Sequence, residues 1–135
     1  MRNIRVASVQ FEHVPGDKAA NLDKVRRFAE KAAALGVEVV VFPECCITGY
    51  WFLRHLGGEE FVALAEPVFD GPSSQALLRM SKEYGVTLGA GLIEAGPDGR
   101  FYKAYVVTMP DGSARRHRKL HPLVSPYLTP GNEYT

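Results

Sequence analysis

The pattern of hydrophobic and polar positions changes period several times along this chain, and each change marks an element. Residues 4–11, Ile-Arg-Val-Ala-Ser-Val-Gln-Phe, are mostly apolar with Arg5 early, which predicts a first strand. Val14-Pro15-Gly16-Asp17 reads as a turn, with Asp17 placed to cap the helix that follows. From Lys18 to Leu35 the residues Leu22, Val25, Ala29, Ala32 and Ala33 keep helical spacing. Asp23, Arg26, Arg27, Glu30 and Lys31 fall largely on the other side. Gly36 occupies the position at which a left-handed residue closes a helix. Val37 to Phe42 is then a nearly continuous apolar run, as in a strand covered on both faces. A right-handed crossover through one helix makes the two strands parallel. Pro43 removes a backbone donor and ends the ladder, so Glu44 sits just past the strand's carboxyl end. Open α/β sheets bind ligands at that edge.

Residues 45–50, Cys-Cys-Ile-Thr-Gly-Tyr, read as loop, followed by short helical pieces at Trp51–Leu56 and Glu59–Ala65 on either side of Gly57-Gly58. Gly71-Pro72-Ser73-Ser74 opens another helix. A Ser near its start is the expected cap, Ala76, Leu77, Met80 and Tyr84 its buried side, and Gly85 its end. Val86–Ala95 is a strand whose Gly89 and Gly91 invite close approach by another backbone or a ligand. After the turn Gly96-Pro97-Asp98-Gly99, Phe101–Met109 and Ser113–Lys119 complete an antiparallel meander. Asp111-Gly112 reads as its two-residue hairpin loop. Leu120 to Thr135, with three prolines and Gly131, reads as irregular loop. No repeat or interdomain linker interrupts the chain, so residues 1–135 form one domain.

Composition narrows the class. At 135 residues, 46% hydrophobic and 23% charged, the chain has the size and balance of a globular domain. A net charge of +1 supplies no global field for nucleic acid or a membrane surface. Charges inside the N-terminal apolar run argue against a signal peptide, and no run reaches the ~18 apolar residues of a membrane span. The two cysteines, Cys45 and Cys46, are adjacent and poorly placed to bridge each other. The expectation is a reduced, cytoplasmic protein with neither nucleic-acid nor membrane partner.

Glu44 is either a tuned general base at the sheet edge or a turn acid. For the cluster Arg115-Arg116-His117-Arg118-Lys119-Leu120-His121 three readings stand: a charged edge strand that resists aggregation, a nucleic-acid patch, or a strand delivering one Lys into a site. Alternation puts Arg115, His117 and Lys119 on one face and Arg116 and Arg118 on the other. His117 and His121 lie among cations that repel a metal ion, and no metal motif is present, so no metal is expected. Gly89-Ala90-Gly91 lacks the third glycine of a dinucleotide fingerprint. Cys45 or Cys46 beside Glu44 is either a nucleophile with its base or a buried structural thiol.

The chain resembles the N-terminal half of the carbon–nitrogen hydrolase (nitrilase/amidase) superfamily. Residues 4–11 are similar to that family's first strand. Val41-Phe42-Pro43-Glu44 with Thr48-Gly49-Tyr50 resembles its first signature, and Arg118-Lys119-Leu120-His121 its second. Pro130-Gly131 fits the loop after the lysine. The resemblance implies an α/β fold, half of a four-layer αββα sandwich, with a mixed sheet and helices on one face. It implies hydrolysis of a non-peptide amide, carbamoyl or nitrile C–N bond in a small molecule, without cofactor. Glu44 would be the general base, Lys119 the cation beside the oxyanion, and Tyr50 a substrate contact. The family's cysteine nucleophile lies beyond the lysine motif, and these 135 residues contain none there. Leu120–Thr129 also lacks the acid many members carry, with Pro126 near its place. The expectation is an incomplete, N-terminal portion, inactive alone, paired as a homo-oligomer or with a complementary C-terminal half. The alternative is a non-catalytic scaffold half.

Overall fold

The computed structural model describes residues 2–134; Met1 and Thr135, which belong to the N-terminal run and the last loop read above, lie outside them. The elements are β1 (Val6–Ser8), α1 (Lys18–Ala34), β2 (Val39–Val41), a 3-10 helix (Trp51–His55), α2 (Gly58–Leu64), α3 (Pro72–Tyr84), β3 (Thr87–Ala95), β4 (Phe101–Thr108) and β5 (Ala114–Arg118). They build one mixed sheet of five strands in the order β1-β2-β3-β4-β5. β1, β2 and β3 pair parallel, and the β3–β4 and β4–β5 pairs are antiparallel. This is the α/β architecture the apolar pattern implies, with β1 and β2 shorter than the runs that predict them.

α1 begins where Asp17 Oδ1 accepts the Ala20 N–H at 2.9 Å, satisfying one orphan donor of the first turn. Its Asn21, Val25, Ala29 and Ala32 form one buried stripe, and Gly36 takes φ +71° beyond its end. α3 packs beside it on the same sheet face through Leu77 and Met80. Val40, Leu88, Ala90, Leu92 and Val106 complete that core from the strands. The cap of α3 differs from the expectation. No Ser side chain caps the helix, and Gly71 is its N-cap residue. Glu66 instead reaches in from upstream, accepting from Ser73 N at 2.8 Å and Ser73 Oγ at 3.0 Å.

The hairpin between β4 and β5 also departs from expectation. Met109 N donates to Ser113 O and Gly112 N to Met109 O, so the loop is Pro110-Asp111-Gly112, three residues with Gly112 at φ +92°. The ladder therefore pairs Thr108 with Ala114, Tyr105 with His117 and Ala104 with Arg118. A two-residue loop would shift the register by one and turn every side chain of β5 to the other face. On the face away from α1 and α3, a second cluster forms around Ile93, with Cys45, Leu53, Phe61, Leu64 and Leu128. The 3-10 helix and α2 thus roof one end of that face. Among the described residues no helix is long and apolar enough to cross a membrane.

Candidate active site

Everything in the site hangs on how the chain leaves β2. Phe42 extends the pairing by one bond, its N–H donating to Gly89 O at 2.8 Å, and Pro43 then releases the strand. The Tyr105 hydroxyl lies 2.8 Å from both Phe42 O and Gly89 O, closing the open end of the ladder; its ring crosses the space a Cβ on Gly89 would fill. Burial pushes the Tyr105 phenol up to about 12, so it stays a donor at neutral pH. The following peptide lies flat on β3. A Cβ on Gly91 would come 2.3 Å from Cys45 N, and Cys45 turns the chain at φ +51°. Ile47 N returns to Gly91 O at 3.0 Å. Asn21, fully buried in α1, fixes the far side by donating to Val14 O and Ile47 O. The loop is clamped from both ends, and Glu44 projects from its start.

Lys119 arrives from the other direction. Its N–H donates to Lys103 O at 2.9 Å, and its carbonyl accepts from Gly131 N at 2.9 Å. Gly131 is needed there, because a Cβ would meet Arg118 O at 2.3 Å. The pair of residues Pro130-Gly131 thus straps the strand that carries the lysine. Lys119 Nζ reaches Glu44 at 3.0 Å to Oε1 and 3.1 Å to Oε2. That hydrogen bond is the main cause holding the Lys119 ammonium above its ordinary pKa, with the carboxylate's charge adding to it and partial burial opposing it. Glu44 and Lys119, seventy-five positions apart, therefore meet as expected.

A third charge stands beside them that the sequence reading missed. Lys103, on β4, is 1% exposed, with its Nζ 3.6 Å from Glu44 Oε1 and 4.0 Å from the centroid of the Tyr50 ring. Glu44, Lys103, Ala104, Tyr105, His117 and Lys119 line a cavity of about 310 Å3. Tyr50 stands at the site through Lys103 and is itself held by its N–H donating to His13 Nε2 at 3.1 Å. The alternation expected for β5 is observed: His117 and Lys119 face this cavity, while Arg116 and Arg118 bind the buried Glu94.

Neither cysteine lines the cavity. Both are buried and unpaired. Burial, with the Glu44 charge next, pushes Cys45 up to about 12, and burial pushes Cys46 to about 11. A thiol so raised carries negligible thiolate at neutral pH. Among the described residues no group of three or more His, Cys, Asp or Glu side chains converges to hold a metal. The arrangement is a carboxylate between one half-exposed and one buried ammonium, at the rim of a small cavity. It can take a proton and stabilise a neighbouring negative oxygen.

The family profile of carbon–nitrogen hydrolases matches residues 5–135. An aliphatic nitrilase of Sinorhizobium fredii is 36% identical over 137 aligned residues, covering 90% of this chain and 43% of that protein. An omega-amidase of Danio rerio is 36% identical over 122 residues, covering 90% of this chain and 41% of its own length. The crystal structure of a carbon–nitrogen hydrolase from Helicobacter pylori superposes with a TM-score of 0.80 at 23% identity, over 96% of this chain and 45% of that one. The chain thus spans less than half the length of each of these proteins.

Proposed function

The chain belongs to the carbon–nitrogen hydrolase family, and from that premise we propose that it supplies the general base and the oxyanion-facing cation of a site that hydrolyses small amides, carbamoyl compounds or nitriles. The observation that carries the reading is the Glu44–Lys119 contact at the carboxyl edge of the sheet. In this scheme a cysteine thiol from outside these 135 residues enters the cavity and gives its proton to Glu44. For an amide, its sulfur bonds to the carbonyl carbon, and the oxygen takes the electron pair beside Lys119. Collapse breaks the C–N bond, and the departing amine takes the proton from Glu44. Water then gives its proton to Glu44 and attacks the thioester carbon; the C–S bond breaks, the acid is released, and the departing sulfur takes the proton back from Glu44 as the thiol. Tyr50 borders the substrate, no cofactor enters, and a cytoplasmic setting fits two unpaired thiols.

Cys45 and Cys46 are too deeply buried to replace that nucleophile, so the 135-residue chain alone turns over no amide or nitrile. Assay of the purified chain, and of the chain joined to a segment bearing the cysteine, tests this. Activity only in the joined form, abolished by Glu44→Gln, is the expected result. Turnover by the chain alone that disappears on Cys45→Ala or Cys46→Ala would overturn it, and a joined form indifferent to Glu44→Gln would favour a scaffold role. The same reading has the rest of a family-length protein cover the sheet face of Val39, Val41 and Val107; alone, the chain pairs that face with a second copy. A monodisperse 14.9 kDa species in light scattering would contradict that pairing.

A further inference from the structure

Lys103 is buried, and among the described residues its ammonium has no hydrogen-bond partner. An ammonium has three donors, and a buried one left without an acceptor calls for an explanation. Its contacts are Glu44 Oε1, at 3.6 Å too long for a hydrogen bond, and the Tyr50 ring face. Its neighbour across the β4–β5 ladder is Lys119, a like charge on the same sheet face. Packing alone would favour an apolar side chain here.

We propose that Lys103 is a positioning residue of this site: a fixed second counter-ion that holds the Glu44 carboxylate when the Lys119 ammonium is drawn to the negative oxygen of a ligand. The inference rests on the reading of Glu44 and Lys119 given above. In the resting site Lys119 directs hydrogen bonds to both Glu44 oxygens, so a negative oxygen on a ligand competes for the same donors. Lys119 is free to answer, because its side chain is 40% exposed. Glu44 is 37% exposed and, with one cation only, would follow Lys119 or turn to water. Lys103 cannot follow, since Tyr50 covers it. A movement of Oε1 by less than about 1 Å brings it within hydrogen-bond range of Lys103 Nζ. The three groups together carry a net charge of +1, and Leu120–Thr129 adds no acid to cancel it. An incoming negative oxygen is balanced and the base stays in place.

Replacing Lys119 in the full chain imitates its withdrawal. In a crystal structure of Lys119→Met, the Glu44 carboxylate should close onto Lys103 Nζ at about 2.8–3.0 Å. The Lys103 ammonium should appear in 15N NMR as hydrogen-bonded and slowed in exchange by about tenfold or more. In Lys103→Met/Lys119→Met the carboxylate should turn out to solvent, and Lys103→Arg in the Lys119→Met background should hold it again. Lys119→Ala gives the same readout with a shorter side chain. Glu44 turning to water in Lys119→Met while Lys103 stays unbonded would overturn the proposal. So would a carboxylate that keeps its place in the double variant, since packing alone would then position it. Neither readout involves turnover, so a failed hydrolase assay and a failed relay of Glu44 are told apart.

Discussion

Glu44 has two cationic neighbours that differ in burial, and removing charge has opposite consequences on the two sides. Lys119 is a half-exposed partner of the kind that contributes about 1 kcal/mol or less, so Lys119→Met should leave the urea midpoint nearly unchanged. Glu44→Gln instead strands the buried Lys103 without its carboxylate and should cost about 3 kcal/mol. Adding Lys103→Met to Glu44→Gln should recover most of that loss, and equal losses for both single variants in urea unfolding would refute this ordering. Gly91→Ala is a second case of a single atom deciding. A methyl group 2.3 Å from Cys45 N forces the Glu44–Cys45 peptide off the sheet, and should cost about 1–3 kcal/mol in the same measurement. Gly91 was legible as a place of close approach. Lys103 was not, because a lysine in the alternation Phe101, Lys103, Tyr105, Val107 reads as a solvent-facing position unless the loop across the sheet is known.

At the scale of elements, one residue, Glu66, ties α1, α3 and the end of β3 together in addition to their packing. Glu66 pairs by its backbone next to Glu94, caps α3 through Ser73, and binds Lys18 of α1 at 2.7 Å. Lys18 stands in the first turn of α1, where the helix dipole disfavours a cation, and Glu66 offsets that. Glu66→Ala should therefore lower stability by about 2–3 kcal/mol, seen as a reduced urea midpoint at unchanged slope, whereas an effect below about 0.5 kcal/mol would show that water replaces the cap. The elements themselves were largely legible, since periodicity and the Gly36 and Gly85 stops are local signals. What escaped was non-local. The α3 cap comes from Glu66, upstream of the helix, where the local pattern offered only its serines. The β4–β5 register turned on whether Asp111-Gly112 closes a two- or a three-residue loop. With the shorter loop Lys119 would fall opposite Ala104 and leave the Glu44 side of the sheet; the family resemblance, not the hairpin signal, carried its assignment to the site.

For the whole molecule, the buried ionisable groups set how stability depends on alkaline pH. Cys45 and Cys46 are raised to about 12 and about 11 in the folded chain, against an ordinary thiol value near 9.0. Between those limits the unfolded chain gives up thiol protons that the folded chain keeps. The folded state then binds more protons, and stability falls as pH rises. The loss begins near pH 9 and reaches a slope of up to about 2.7 kcal/mol per pH unit when both unfolded thiols ionise, at ~1.4 kcal/mol for each. Tyr105, raised to about 12, joins only above its ordinary value of 10.0, and Lys119, raised by its bond to Glu44, only above 10.5. Both have raised folded values, so their contributions are complete below those pH values and decline above them. The thiols therefore act before Tyr105 and Lys119, from about pH 9. Urea unfolding across pH 7 to 10 should show a flat region followed by this decline, and Cys45→Ala/Cys46→Ala should remove the decline below pH 10 whatever its own stability. In the native chain iodoacetamide should modify neither thiol appreciably at pH 8, and in urea both. A native cysteine alkylated at the rate of an exposed thiol would mean that the loop over Gly91 opens readily, and that the clamp which places Glu44 is looser than its geometry implies.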